Sequence, residues 1–452
     1  MMVSSGLDGG SERVTDWQRF CLVLLPITAT AGPYLLPVAI GPVNVFFFRS
    51  LVLFLAGLIL TLSTKIPWWS NPVVKNYALL GAFWITWAAL GTFWAPDTKA
   101  VLREIFALSF GFLTALVVVN LKGNTWAGLH ALRQGWILAF LVAAAVAVWE
   151  LTTGNHLQSA FIDANPGQIP VFLTQSTLGQ PNNFGAFLVL STPFIIWSLV
   201  TSTKAYLRIF YIFLAIFSLV LSIFSTSKIG FFGIIILYLF YFVFLTGSLR
   251  VKIATALVVA LLIVGGIAVH SFYSIPLLNE LGTIFTAGVH LKGSNLVRLN
   301  LTLVGLDFAA DTRGIGVGGG NYSYLMARGA GRYWTGHIIN PHNWWIEILA
   351  QYGILVFLFF VFYLLYLLRI AIVAIKGCTD SSTRALCQFA MLSLLGYAMA
   401  AVSNSSYMTQ PANWFFLASL VAIMSFLLRS WQAGYHKDAM RRATVGAPDD
   451  FS

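Results

Sequence analysis

Charge is what this chain has least of. Only 9% of its 452 residues are charged, 15 acidic against 26 basic, while 58% are hydrophobic. The mean hydropathy is +0.82. A soluble domain of this length cannot cover its surface with so few charges, so a water-soluble globular enzyme is excluded. Cysteine is equally scarce: Cys21, Cys378 and Cys387 are too few and too badly placed for a disulfide framework or a zinc ribbon. A cleavable secretion signal is lacking as well. The first nineteen residues mix Arg13 and Arg19 with Asp8, Glu12 and Asp16 and run straight into an apolar span, which is expected to stay as an anchor. No repeat of fixed period is visible.

What the chain has in abundance is apolar runs of roughly 20 residues, the length that crosses about 30 Å of hydrocarbon. About twelve are expected, near 20–40, 43–62, 76–94, 101–119, 131–152, 184–202, 206–225, 229–247, 251–270, 352–375, 384–403 and 413–430. The first is softened by Gly32, Pro33 and Pro37. The expected fold class is an all-α polytopic membrane protein. It divides into helices over 1–270, a large polar cap over 271–351, further helices over 352–430 and a basic tail over 431–452.

The net charge of +11 is a topology signal rather than a mark of nucleic-acid binding. Lys65 and Lys75, Lys122 and Arg133, Lys204 and Arg208, Arg250 and Lys252, then Arg369, Lys376 and Arg384 fall in alternate loops, joined by the basic residues of both termini. That face is expected to be cytoplasmic, and it attracts anionic headgroups of membrane lipids. The segment 271–351 is then the one large outer loop. Leu296, Leu299, Leu303 and Leu306 recur in it at helical spacing, so it reads as short helices lying on the bilayer. On the same helix Arg298, Thr302, Gly305 and Ala309 form a second stripe, read either as space around a guanidinium or as an ordinary packing seam.

Chemistry has few other places to live than this loop. Gly314 to Gly320 contains a literal GxGxxG, with Gly318 inside it, but lacks the strand, helix and acidic residue of a dinucleotide site. On spacing alone the glycines read as a tight turn, as the close approach of a ligand, or as plain loop flexibility. In Asn340-Pro341-His342-Asn343-Trp344-Trp345-Ile346-Glu347, His342 is a natural general base near neutral pH, and Glu347 stands where it can orient or compete with it. A structural histidine is the competing reading. His337 and His342 are not at metal-ligand spacing and no acidic or cysteine cluster joins them, so no metal or other cofactor is expected. Of the cations in or beside spans, Arg49, Arg103 and Lys228, Arg103 has Asp97 and Glu104 for local pairing. Lys228, in a short turn between two apolar helices, has no such acid. With Arg298 it can hold a diphosphate at the membrane boundary.

These fragments, taken in order, give the chain its likeness: Gly179-Gln180-Pro181-Asn182-Asn183-Phe184, Thr226-Ser227-Lys228, Arg298, the glycine run with Asn321, and Pro341-His342-Asn343 followed by Glu347 and Gly353. The chain resembles the O-antigen ligase and polysaccharide polymerase superfamily of bacterial envelopes. The resemblance implies a GT-C-like helical architecture with one periplasmic loop, in the bacterial inner membrane. It also implies transfer of a glycan from undecaprenyl diphosphate to an acceptor hydroxyl of a glycan or glycolipid. On it, His342 is the activating base and Arg298 a diphosphate contact. Lys228 stands where the family usually has arginine, which keeps the charge but loses the bidentate fork. Asn182, Gly318, His337, Asn343 and Glu347 complete the expected substrate-binding set.

A lipid-linked oligosaccharide flippase or other transporter is the competing class. Transporters favour paired repeats and polar residues at mid-membrane, whereas the polar residues here concentrate in one cap, which favours an enzyme.

Overall fold

The computed structural model describes residues 14–40, 43–62, 67–164, 172–246, 294–378, 380–402 and 407–445. The expected span at 251–270 and the cap's opening stretch, 271–293, lie outside the described residues. So do Arg13, Lys65, Arg250 and Lys252 of the charge pattern.

Helices dominate because the apolar runs have no water with which to satisfy their backbone, so every N–H must bond within its own segment. In chain order they are α1 (Asp16–Ala31), α2 (Phe47–Leu62), α3 (Pro72–Leu90), α4 (Thr98–Asn120), α5 (Trp126–Thr153) and the short α6 (Ala160–Ala164). Then come α7 (Pro181–Thr201), α8 (Ala205–Phe224), α9 (Lys228–Phe240), α10 (Ser294–Asp311), α11 (Asn321–Ala327), α12 (Trp344–Gly377), α13 (Ser381–Ala400) and α14 (Pro411–Val445). Among the described residues, 8 helices are long and apolar enough to cross a membrane. They are α3, α4, α5, α7, α8, α9 with the π-turn to Leu245, α12 and the first part of α14.

Two expectations shift here. The span placed at 20–40 ends at Ala31, where Gly32 takes a φ of 53° and Pro33 follows. Residues beyond form a small antiparallel hairpin, β1 (Val38–Ile40) on β2 (Val43–Val45), pairing Val38 with Val45. The helix placed at 352–375 begins instead at Trp344, because Asn343 caps it by accepting from the Trp345 and Ile346 N–H groups.

The bundle is organised around α7 and the apolar part of α14, whose lengths are almost wholly buried. α1 lies along α5, α7 sits between α13 and α9, and α14 packs on α4. Arg19 donates to Gln134, Arg133 to Thr201 and Arg429 to the Asn124 carbonyl at one end. α10, α11 and the loops 91–98, 174–181 and 225–228 gather at the other.

The cap-side segment is fastened to the bundle through a break in α12. Gly353 has φ 80° and ψ −179°, a conformation essentially reserved for glycine, and a side chain there would collide with the Gly314 and Ile315 carbonyls. The backbone groups this frees are taken up by the glycine run: Val317 N–H donates to Ala350 O, Gly318 N–H to Gln351 O, and Ile354 N–H to Gly314 O, each at 2.9 Å. Trp94 Nε1 donates to Gly316 O at 2.8 Å, and Asn321 exchanges bonds with Asp97 N–H and O. Non-helical backbone at such depth is tolerated only where protein covers it.

Candidate active site at one end of the bundle

Residues of α7, α9 and α10 and of the loop before α12 converge at the cap-side end. α9 begins at Lys228 because Ser227 caps it, its Oγ accepting from Gly230 N–H at 3.1 Å. α7 begins at Pro181, whose fixed φ suits the first helical position, so Asn182 stands in the first turn. α10 brings Asn295 and Arg298 across both. The Lys228 ammonium donates to Asn295 Oδ1 at 3.1 Å, and the Arg298 guanidinium to Asn182 Oδ1 at 3.4 Å. Two cations from separate elements thus each rest on a carboxamide, and Lys228 and Asn182 stand at helix starts whose backbone dipoles also favour an anion.

His342 joins this group. The Arg298 charge acts on its imidazole, and its Nδ1 is buried without a hydrogen-bond partner. Burial, with Arg298 adding to it, pushes the imidazole down from 6.5 to about 4, so it is uncharged across the physiological range. Its backbone is left-handed, φ 49°, a conformation a non-glycine residue keeps only when its surroundings hold it. The next residues supply that hold. Trp344 is fully buried, stacks on Trp84 at 6.3 Å between ring centres, and donates its N–H to Ala401 O at 2.8 Å. Trp345 Nε1 donates to Ala398 O at 3.2 Å.

The other candidates separate from this centre. Asn343 spends its Oδ1 on the α12 cap. Gly318 serves the stitched break and packs on the α3–α4 loop, since a Cβ there would stand 2.6 Å from Ala95 Cβ. The close approach the glycines permit is that of protein backbone. His337 is exposed, with φ 66°. Glu347 does not reach back toward the imidazole by hydrogen bond; its Oε1 accepts from Gln351 Nε2 at 3.1 Å. It lies in electrostatic reach of Glu104, which accepts from Tyr352 OH at 3.2 Å. In the Arg298 stripe, Gly305 is a packing position: a side chain there would strike Ile346. Arg103 pairs loosely with Asp97 at 3.9 Å, as its neighbours in sequence suggest. Arg49 lies over the rings of Phe46, Phe106 and Phe110, at 4.7, 5.2 and 5.8 Å.

Sequence reasoning missed Asn295, an ordinary polar residue on a polar helix. It also missed the tight crossing of α7 and α9, where Gly185 and Gly230 meet: a Cβ on Gly230 would stand 2.8 Å from Gly185 Cα. Glycine at both positions was the available signal.

Residues 210–361 match the O-antigen ligase family. That stretch holds Lys228, Arg298, Gly318, His337, His342, Asn343 and Glu347; Asn182 lies outside it. The chain is also similar to the teichuronic acid biosynthesis protein TuaE of Bacillus subtilis (strain 168), 25% identical over 382 residues, which cover 82% of this chain and 75% of that protein. With its helices, these likenesses make it a multi-pass membrane protein related to the O-antigen ligases and to envelope polysaccharide assembly proteins.

Proposed function

We propose that the protein is an integral-membrane glycosyltransferase of the O-antigen ligase or polysaccharide polymerase type. It moves a glycan from undecaprenyl diphosphate to an acceptor hydroxyl on the outer face of the bacterial cytoplasmic membrane. The observation that carries this reading is the meeting of Arg298, Lys228, Asn182 and Asn295 beside a neutral, partly buried His342.

The acceptor hydroxyl gives its proton to the imidazole as its oxygen bonds to the anomeric carbon. The carbon–oxygen bond to phosphate breaks on the opposite side, and its electron pair leaves on the diphosphate. Arg298 and Lys228 stabilise that charge, so the step calls for no metal ion, and the anomeric configuration inverts. Outside the cell a donor must arrive already activated, and a lipid diphosphate supplies that activation. The likeness to a teichuronic acid biosynthesis protein favours an envelope polysaccharide as the product.

The test is His342→Ala in purified protein with a lipid-linked donor. Transfer should fall on the order of 10²–10⁴-fold while insertion and melting are unchanged. Near-normal transfer would remove His342 from the chemistry. Cells lacking the protein separate the two types: lipid-linked single repeats accumulate without a polymerase, long chains without a ligase.

A further inference from the structure

Glu150, near the end of α5, is fully buried and lies outside the stretch that matches the family. Its Oε2 accepts the backbone N–H groups of both Gln175 and Ser176, at 3.0 and 2.8 Å, and His156 Nδ1 stands 3.4 Å from its Oε1. Ser176 has a φ of 52°, and its hydroxyl donates to Ala143 O at 2.7 Å. A left-handed serine bonded to one carboxyl group is a backbone conformation imposed from outside the turn.

The turn so held, 174–178, has two exits, and both lead to the cationic cluster. Thr174 N–H donates at 3.1 Å to the carbonyl of Phe224, the last residue of α8, next to the Ser225–Lys228 turn. In the other direction the chain passes through Gly179, φ 70°, into the first turn of α7 and Asn182. The Leu178 carbonyl there accepts from Asn183 Nδ2 at 3.3 Å and Gln410 Nε2 at 3.4 Å. One carboxyl group therefore fixes the stretch of backbone that abuts the Lys228 turn and carries Asn182.

We propose that Glu150 is a positioning residue for the diphosphate subsite, setting the separation of the Lys228 turn from Asn182 and hence the seat of Arg298. This rests on the reading that the cluster takes a lipid diphosphate. Alanine at 150 leaves two buried N–H groups without an acceptor, and the turn relaxes to find other partners. Glutamine does not, because its amide oxygen can occupy the Oε2 position while its NH₂ faces His156 Nδ1.

The experiment measures binding of undecaprenyl diphosphate itself to the full-length protein in lipid nanodiscs, together with kcat and the acceptor KM wherever transfer is observed. Glu150→Ala should weaken undecaprenyl diphosphate binding on the order of tenfold, with the acceptor KM unchanged, and Glu150→Gln should restore it to within about threefold. An alanine variant that melts like the wild type and binds the lipid unchanged overturns the assignment, and so does a glutamine variant as weak as alanine. Should Glu150→Ala fail to fold, Glu150→Asp, which withdraws the carboxyl by one methylene, takes its place. A loss confined to the lipid diphosphate supports the role, and an equal loss toward the acceptor overturns it. Wild-type protein that binds undecaprenyl diphosphate but transfers no glycan would refute the transferase reading, while the same variants still decide the role of Glu150.

Discussion

Adding one methyl group at Gly185 should disable the site from a position that touches no substrate. A Cβ there would collide with Ser227 Cβ and stand 2.5 Å from its Oγ, and Gly230 Cα lies at 3.3 Å. Ordinary carbon contacts begin near 3.5 Å, so α9 must retreat from α7 by about 1 Å. The atoms in the way are a backbone and a Cβ, which cannot swing aside as the end of a long side chain can. Overpacking of this kind costs about 1–3 kcal/mol. Ser227 is also the α9 cap, and disturbing it adds about 1 kcal/mol. The functional effect is larger than the loss of stability suggests. Lys228 travels with α9, its 3.1 Å bond to Asn295 stretches beyond hydrogen-bonding range, and a misplacement of about 1 Å can cost on the order of 10²-fold in rate. The assay compares Gly185→Ala with wild type for thermal unfolding in detergent and for transfer at increasing lipid-linked donor. A lower melting temperature with a steep loss of donor-limited transfer is expected. Full transfer at wild-type stability would refute the crossing as the device that places Lys228.

The pH profile offers a second test. An imidazole held near a pKa of about 4 acts as a base above that value and is lost as pH falls through it. The acid limb of kcat/KM should therefore lie well below the ordinary 6.5, while the limb of kcat should rise toward it, because bound diphosphate offsets the Arg298 charge. An acid limb of kcat/KM at or above 6.5 would count against His342 as the base. Arg298→Lys should be nearly as damaging as Arg298→Ala if the guanidinium grips two phosphate oxygens, whereas Lys228→Arg should be tolerated and Lys228→Ala should weaken donor binding. A fully active Arg298→Lys protein would show that a point charge suffices there. For topology, single cysteines at the exposed positions Ala330 and Ser382, in a background without Cys21, Cys378 and Cys387, should react oppositely with an impermeant thiol reagent on sealed cells. Labelling of both would refute the topology.

Ionisable residues in an apolar chain announce themselves, and so Lys228, Arg298 and His342 could be named as candidates before any coordinates. Their meeting was only partly legible. Asn182 could be named from its neighbours, but Asn295 could not, since an asparagine near the start of a polar helix is unremarkable without its partner 67 positions away. Glycine was the least transparent residue. The run 314–320 reads as a loop cradling a ligand, yet its freedom of φ is used to reach the backbone of 350–354, and nothing local to either stretch specifies the other. The same holds for Glu347, which interacts electrostatically with Glu104, on a helix more than 200 residues earlier. The expected spans at 76, 184 and 413 begin a few residues inside the prolines that open those helices, Pro72, Pro181 and Pro411, and the limits lie further off at α1 and α12, where a glycine ends one helix and interrupts the other.

The interruption at Gly353 also folds the chain back on itself. Below it, the stretch 354–377 holds roughly 24 residues, about 36 Å of helix, which spans the hydrocarbon layer unaided. Before it, the stretch 344–352 does not continue that axis: Trp344 and Trp345 lie against Phe360, ring centres 5.1 and 6.1 Å apart, so the chain doubles back beside the helix it leads into. The segment that follows His342 is thereby pressed against the side of the spanning helix, and one helix interrupted once supplies both the span and the wall behind the candidate base.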